Sequence, residues 1–184
     1  GVHSLKEQLA WLVRHFRIMT INEILDRARQ GTLPAKSAFI AFHDGYRGNY
    51  ETAFPLLQAL GIKVDFFIPT AFIGTERRFW VDILDSALAH TQQKSLSLPG
   101  ESGSVETYPL QDEMERLAAA HRLRNRLKSL PDAEFEPEFK RVLNSLGWGD
   151  WSEVPPLGEH SACLDWDQVR EMSKAGMGIG SHTH

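Results

Sequence analysis

Two short apolar runs, separated by a segment with helical spacing, constrain the fold of this chain more than any other feature. Residues 37–43 are apolar and aromatic on both faces, and residues 64–68 form a second run of this kind. Residues 49–60, between them, place apolar side chains on one side of a helix. Apolar runs of this type are typical of covered parallel strands, and the strand–helix–strand order implies a right-handed crossover. The sequence therefore predicts a β-α-β unit over residues 37–68.

Helical patterns surround this unit. Thr20 and Glu23 have the spacing of a capping box, which predicts a helix over residues 21–30. Asp165 can cap a helix over residues 166–175. The other predicted elements are helices over 4–16, 80–88, 111–130 and 134–146 and a strand over 177–181. The alternation of strands and helices predicts an α/β fold, either a barrel or a doubly wound sheet.

The middle of the chain differs in composition from both ends. Residues 91–110 are rich in Ser, Gly, Pro and Glu, which predicts a loop or a loose hairpin. We expect residues 91–163 to be a helical and loop insertion within one domain that covers residues 1–184. Because the chain opens at a glycine and stops just after a predicted strand, we also expect that domain to be truncated at both ends.

Composition excludes several classes of function. The chain has 20 basic and 24 acidic residues and a formal net charge of −4, so no strong field attracts it to nucleic acid. No apolar run reaches the roughly 20 residues that a transmembrane helix needs, and the first residues lack the order of a signal peptide. Cys163, the single cysteine, is expected to be a buried free thiol. The oligomeric state stays unknown.

Two polar clusters follow predicted parallel strands at their carboxyl ends. One is His43-Asp44-Gly45, and the other is residues 181–184, Ser-His-Thr-His. This edge of parallel strands is where α/β proteins build their sites. Histidine with carboxylate suits a first-row divalent metal, and zinc, cobalt, nickel and manganese all remain open. Two simpler interpretations also remain open, in which Asp44-Gly45 is only a turn and residues 181–184 are disordered.

Three segments, taken in order, carry a resemblance to a known family. Residues 41–46 are Ala-Phe-His-Asp-Gly-Tyr, residues 64–70 are Val-Asp-Phe-Phe-Ile-Pro-Thr, and residues 178–183 are Gly-Ile-Gly-Ser-His-Thr. They resemble the polysaccharide deacetylases, the NodB-homology domain, whose first motif is Thr-Phe-Asp-Asp-Gly-Tyr and whose second is His-[Ser/Thr]-x-x-His. The resemblance covers most of 4–90 and 164–184. It implies part of a distorted, TIM-like (β/α) barrel.

The resemblance also implies roles for individual residues. Asp44 matches the metal-binding aspartate, and His182 matches the first metal-binding histidine. The second such histidine falls at position 186, and His184 occupies a variable position of the motif. His43 matches the aspartate that serves as catalytic base, so an imidazole stands where the family has a carboxylate. Asp65 also departs from the family, which has a small or hydroxyl residue there.

The function that the resemblance implies is a metal-dependent hydrolase acting on carbon–nitrogen bonds other than peptide bonds. It would remove N-acetyl, or other acyl, groups from a polysaccharide or N-acetylated glycan. The cofactor would be a divalent metal, zinc first, with cobalt, nickel or manganese as alternatives. An imidazole can act as a base, but it is larger than a carboxylate and places its nitrogens elsewhere. We therefore expect an enzyme in which His43 is a working base, or one impaired because of His43 and the missing later motifs. The alternative is a non-catalytic carbohydrate-binding relative. An envelope or extracellular location is expected from the resemblance alone.

Other features have alternative explanations. His43-Asp44 is also the pair found in histidine–aspartate phosphohydrolases, but those proteins carry the pair on a helix. The basic run over residues 121–128 could contact an anion or polymer, although the solvated face of a charged helix explains it more simply. Trp148 and Trp151 could stack on sugar rings, and packing is the simpler explanation for both.

Overall fold

A computed structural model of the chain describes residues 2–100, 103–158 and 161–182. The structure divides into two compact units, of which the first comprises Gly1–Arg77 with Gly158–His184 and the second comprises Arg78–Leu157. Helices and sheets are both present, which confirms the predicted α/β class. None of the helices in the described part of the chain is long and apolar enough to cross a bilayer.

The helices and strands follow one another in chain order. They are α1 (Val2–His15), β1 (Arg17–Ile18), α2 (Ile21–Arg29), β2 (Ser37–Ala38), β3 (Ala41–Phe42), α3 (Phe54–Ala59), β4 (Asp65–Ile68), α4 (Trp80–His90), β5 (Ser95–Pro99), β6 (Val105–Pro109), α5 (Glu113–Lys128), α6 (Asp132–Ser145), α7 (Trp166–Lys174) and β7 (Gly178–Ser181).

The first unit is built around a parallel sheet with the strand order β3-β4-β7, and β1 pairs in parallel with β2. The parallel pairing of β3 with β4 confirms the predicted β-α-β unit. Strand β4 is central and is buried except at Phe67, as expected for a strand that has neighbours on both sides. Whether further strands close a barrel stays a prediction.

The apolar core of the first unit draws on both its helices and its sheet. Helices α1, α3 and α7 each contribute side chains, and burial of one such aliphatic or aromatic side chain stabilises a fold by about 1.5–3 kcal/mol. The buried members are Leu9, Ala53, Phe54, Leu57, Val64, Phe66, Ile68, Ile73, Leu164, Val169, Met172 and Met177. Capping boxes start α2 at Thr20 and α7 at Asp165, which confirms both predicted helix starts.

The prediction of one continuous strand over residues 37–43 is wrong. Two short strands occupy this segment, of which β2 pairs with β1 and β3 pairs with β4. Because the two strands bond to different partners, one ladder cannot run through both of them. Phe39 lies between them and is 47% exposed, so the expectation of cover on both faces is wrong at this position as well. Strand β1 has only two residues, too few for a recognisable sequence period.

The predicted helix over residues 49–60 opens with a π-helical turn over Asn49–Ala53 and continues as α3. Pro55 lies in the first turn of α3, where its missing N–H removes no helical hydrogen bond. The segment ends before Gly61, whose φ of +65° suits the end of a helix.

The second unit combines three helices, α4, α5 and α6, with the antiparallel hairpin β5–β6. The hairpin spans part of the segment predicted as loop or hairpin and confirms the second of those alternatives. Leu96 and Leu98 on β5 are buried while their neighbours are exposed, which is the alternation of a strand with one covered face. That residues 91–163 form an insertion stays a prediction.

Arg78 joins the two ends of the second unit. Its guanidinium donates to the carbonyl oxygens of Val154 and Pro155 at 2.6 and 3.0 Å. The hydroxyl of Ser86 donates to the same Pro155 oxygen at 2.5 Å. The chain therefore enters and leaves this unit at adjacent points.

The basic run over residues 121–128 makes contacts inside the second unit. Arg126 bonds to Glu138 at 2.7 Å, and Arg122 lies 4.3 Å from the centre of the Tyr108 ring. These contacts favour the structural explanation of the run over contact with an external anion.

Trp148 is also explained by packing. It lies half-buried against the core of the second unit, and its indole N–H donates to the carbonyl of Ala87 at 3.2 Å. Trp151 is 40% exposed, so a sugar-stacking role for this residue stays a hypothesis.

Candidate active site

The sheet of the first unit brings the two predicted polar clusters to one edge. His43 and Asp44 directly follow β3, and His182 directly follows β7. Strands β3 and β7 both flank β4 and run parallel to it, so their carboxyl ends emerge on the same side. The His182 N–H donates to the carbonyl of Ile68 at 2.9 Å and extends the ladder by one residue. Thr183 and His184 lie outside the described residues.

Three side chains meet at this edge. Nε2 of His182 lies 3.9 Å from Oδ1 of Asp44, and these side chains are 32% and 47% exposed. The rings of His43 and His182 meet edge to face, with 5.1 Å between centroids and 86° between planes. The site is thus an open cluster of one carboxylate and two imidazoles.

The backbone of Asp44 is left-handed, with φ of +69°, and Gly45 follows with φ of +61°. Few residues other than glycine adopt this conformation, and aspartate is among those that tolerate it. A Cβ on Gly45 would also lie 3.0 Å from Cδ1 of Ile73. Two left-handed residues in succession turn the chain sharply and leave the Asp44 carboxylate at the edge of the sheet. Strain of this kind occurs at functional sites.

Neighbouring backbone holds this turn in place. The Leu164 N–H donates to the Gly45 carbonyl at 2.8 Å, and the Arg47 N–H donates to the Ala162 carbonyl at 2.7 Å. Between these bonds, Tyr46 and Cys163 form an antiparallel bridge. Cys163 is buried and forms no disulfide, as predicted for the single cysteine.

Phe67 is a residue of the site that sequence reasoning missed. Its ring stacks on His43 with 5.5 Å between centroids and 21° between planes. On the next strand, a Cβ at Gly180 would lie 2.7 Å from Cδ1 and Cε1 of Phe67. Glycine within a strand is a recognised sign of close approach by another group, so Gly180 was the available signal.

The donor set fits part of a metal site. Two ligands on a tetrahedral zinc lie about 3.4 Å apart, given zinc–ligand bonds of about 2.1 Å. The 3.9 Å separation of Asp44 and His182 needs only a small side-chain rotation to reach that value. Within the described ranges, no group of three or more His, Cys, Asp or Glu side chains is arranged to hold a metal. Asp44 and His182 could therefore supply two of the four ligands of a tetrahedral metal, and other groups would have to supply the remaining two.

A family model for polysaccharide deacetylases matches residues 30–184. The match spans most of the chain, so the chain belongs to the polysaccharide deacetylase family.

Two relatives bear the same name, poly-β-1,6-N-acetyl-D-glucosamine N-deacetylase. The one from Staphylococcus aureus is 31% identical over 80 residues, which cover 43% of this chain and 28% of the relative. The one from Escherichia coli is 40% identical over 58 residues, which cover 30% of this chain and 9% of the relative. The chain thus spans less than a third of the length of either relative.

Solved deacetylase structures are also similar to this chain. One is a de-N-acetylase from Aggregatibacter actinomycetemcomitans, with a TM-score of 0.44, 19% identity and coverage of 98% of this chain and 44% of that protein. Another is the BpsB deacetylase domain from Bordetella bronchiseptica, with a TM-score of 0.44, 17% identity and coverage of 97% and 42%.

Proposed function

We propose that this chain supplies the metal-ligand and base positions of a metal-dependent polysaccharide deacetylase. The observation that carries the proposal is the meeting of His43, Asp44 and His182 at the carboxyl edge of one parallel sheet. Family membership supports the class of reaction, which is hydrolysis of a carbon–nitrogen bond other than a peptide bond. In the proposal, Asp44 and His182 bind the metal and His43 takes the place of the base.

The metal would be a divalent cation, with zinc as the first choice and cobalt, nickel or manganese as alternatives. A carboxylate oxygen and an imidazole nitrogen suit all four ions. When bound, the ion would supply Lewis-acid polarisation of the acyl carbonyl. Asp44 would hold the ion through a carboxylate oxygen, and His182 would hold it through a ring nitrogen.

His43 would accept and hold a proton at a ring nitrogen. Its ring directly neighbours that of His182, so a base at this position lies beside a proposed ligand. Histidine here removes one negative charge relative to the aspartate that the resemblance implies. We therefore propose that the site holds a cation less tightly than a site with two aspartates, and that turnover is reduced.

The names of the relatives support a substrate class. Both are called deacetylases of poly-β-1,6-linked N-acetyl-D-glucosamine. We propose this polymer, or a related N-acetylated glycan, as the substrate.

An envelope or extracellular location would suit such a substrate. We also propose that the chain forms part of the TIM-like (β/α) barrel of the family and that residues 91–163 are an insertion within it.

A glycan-binding role without turnover is the second candidate, and His43 is the observation that favours it. The imidazole is exposed and stacks on the ring of Phe67, and it carries no negative charge with which to hold a cation as a carboxylate would. Such a site could retain a sugar while lacking an efficient base.

Substitution of His43 in the full natural chain distinguishes the two candidates. Acetate release from β-1,6-linked N-acetylglucosamine oligomers, which leaves a free amine on the sugar, would be compared among wild type, His43→Ala and His43→Asp. Activity that His43→Ala abolishes supports His43 as base and contradicts the binding role. Activity that is present only in His43→Asp supports the binding role. His15→Ala is the matched control, since His15 is exposed and bonds within α1 to the Trp11 carbonyl at 2.7 Å.

A further inference from the structure

The ring of Phe67 forms the surface on which His43 rests. Phe42 pairs in register with Phe66, so His43 lies beside Phe67 one residue further along. Successive residues of a strand alternate between faces, which places His43 and Phe67 on the same face of the sheet. Their separation of 5.5 Å and interplanar angle of 21° are within the range of attractive aromatic stacking.

Gly180 leaves room for that ring. It pairs in register with Phe67, and a Cβ there would lie 2.7 Å from Cδ1 and Cε1 of the ring. Any larger residue at this position would push the phenyl group away from β7. His43, Phe67 and Gly180 thus form one row across the three strands.

His182 restrains the same imidazole from a second direction. Its ring meets that of His43 at 86°, nearly at right angles, whereas Phe67 covers one face of His43. The His43 residue is otherwise exposed. Loss of Phe67 would therefore remove one of the two ring contacts that limit rotation of the imidazole.

We infer that Phe67 is a positioning residue that fixes the orientation of the His43 imidazole, and that Gly180 keeps Phe67 in place. The catalytic consequence rests on the proposed function, because a base acts only when its nitrogen is aligned with the reacting group.

The test compares four variants of the full natural chain. Phe67→Leu removes the flat ring but keeps apolar bulk, Gly180→Ala displaces the ring, and Phe67→Tyr retains it. Phe42→Leu is the matched control, because Phe42 stacks on Phe66 at 5.1 Å and 18° on the opposite face of the same strands. The measurements are the carbon-bound proton resonances and side-chain relaxation of His43 by NMR, and kcat and KM for deacetylation.

We expect Phe67→Leu and Gly180→Ala to increase the mobility of the His43 ring, as measured by side-chain relaxation. We also expect kcat to fall about tenfold to a hundredfold with KM little changed. Phe67→Tyr and Phe42→Leu should retain the wild-type values. Unchanged side-chain relaxation of His43 in Phe67→Leu, or an equal loss of kcat in Phe42→Leu, would overturn the inference.

The two proposals can fail separately. A wild-type chain without hydrolysis, in which His43→Asp also fails to hydrolyse, contradicts the proposed function. In that case the NMR comparison of Phe67→Leu with Phe42→Leu alone decides whether Phe67 orients His43. Hydrolysis that survives Phe67→Leu unchanged contradicts only the inference about Phe67.

Discussion

Asp65 on β4 accepts a hydrogen bond from the backbone N–H of Ile21 at the start of α2, with 2.8 Å between oxygen and nitrogen. Asp65 is only 3% exposed, and its second oxygen fills the space that a side chain at Gly178 would need. The N-terminus of a helix carries partial positive charge and favours an anionic acceptor. The bond to the start of α2 therefore explains why residue 65 is an aspartate, although the family resemblance predicts a small or hydroxyl residue there.

Asp65 should make stability fall as pH rises through its titration. Burial raises the pKa of Asp65 above 3.8, although the Ile21 hydrogen bond opposes the shift. The native state therefore keeps this proton to a higher pH than the unfolded chain. Between the unfolded and native pKa values, a rise in pH lowers the free energy of unfolding. Asp65→Asn should remove this dependence while keeping an oxygen acceptor. Asp65→Ala should cost about 1–3 kcal/mol, because the Ile21 N–H loses its partner. Urea unfolding across the acid range measures both effects, and parallel pH profiles for wild type and Asp65→Asn would contradict the first.

Glu23 should produce the opposite pH dependence. Its carboxylate accepts from the Thr20 N–H at 2.8 Å, and this bond is the largest cause that lowers the pKa of Glu23 below 4.5. The stabilisation that ionised Glu23 provides is fully present above pH 4.5. It is lost as pH falls through the lower pKa of Glu23 in the native state. Glu23→Gln should therefore flatten the acid limb of the stability profile. In α7 the uncharged Gln168 holds the same capping position, so Gln168→Ala should lower stability equally at all pH values. A steeper loss of stability toward low pH in Glu23→Gln would contradict this role of the Glu23 carboxylate.

Glu138 should be the most sensitive charged residue of the second unit. It is 7% exposed and bonds to Arg126 at 2.7 Å and to Arg141 at 2.6 Å. Glu138→Ala leaves the half-buried Arg126 guanidinium without its main partner, which should cost about 3–5 kcal/mol in urea unfolding. Asp26→Ala breaks the exposed pair with Arg29 and should have little effect. Equal losses in the two variants would show that burial of the pair is irrelevant.

Gly45→Ala should destabilise the turn that presents Asp44. The new methyl group would need a positive φ and would lie 3.0 Å from Cδ1 of Ile73. A strained backbone of this kind costs about 1–3 kcal/mol. Gly31 is a matched control, because its φ is +67° but nothing lies within 4 Å of a Cβ there. Thermal unfolding should show a larger loss for Gly45→Ala than for Gly31→Ala, and equal losses would exclude the contact with Ile73 as a cause.

Local signals in the sequence were sufficient for most helices. The capping residues Thr20 and Asp165 act within a few positions along the chain, so their effect can be deduced without knowledge of the fold. The closeness of Asp44 and His182 was also predictable, because parallel strands present their carboxyl ends at one edge.

Long-range pairing was not predictable in the same way. The division of residues 37–43 depends on which strand each half bonds to, and one of those partners is the two-residue strand β1. The stack of His43 on Phe67 depends on register between strands, because a shift of one residue would turn Phe67 to the other face. Gly180 was the sequence signal for this contact, but a glycine within a strand does not identify which ring approaches it.

Asp44 and His182 are expected to bind one zinc ion together. Asp44→Asn and His182→Ala should each weaken zinc binding in the full natural chain by about a hundredfold or more, since loss of a group that only supports a ligand already costs about 10–100-fold. The double variant should be little weaker than either single variant, because both remove the same site. His43→Asp should tighten binding by adding a negative charge beside the ion. Competition with a chromophoric chelator measures these affinities, with His15→Ala as the control. Unchanged affinity in both single variants would mean that the pair, although 3.9 Å apart, does not coordinate the metal.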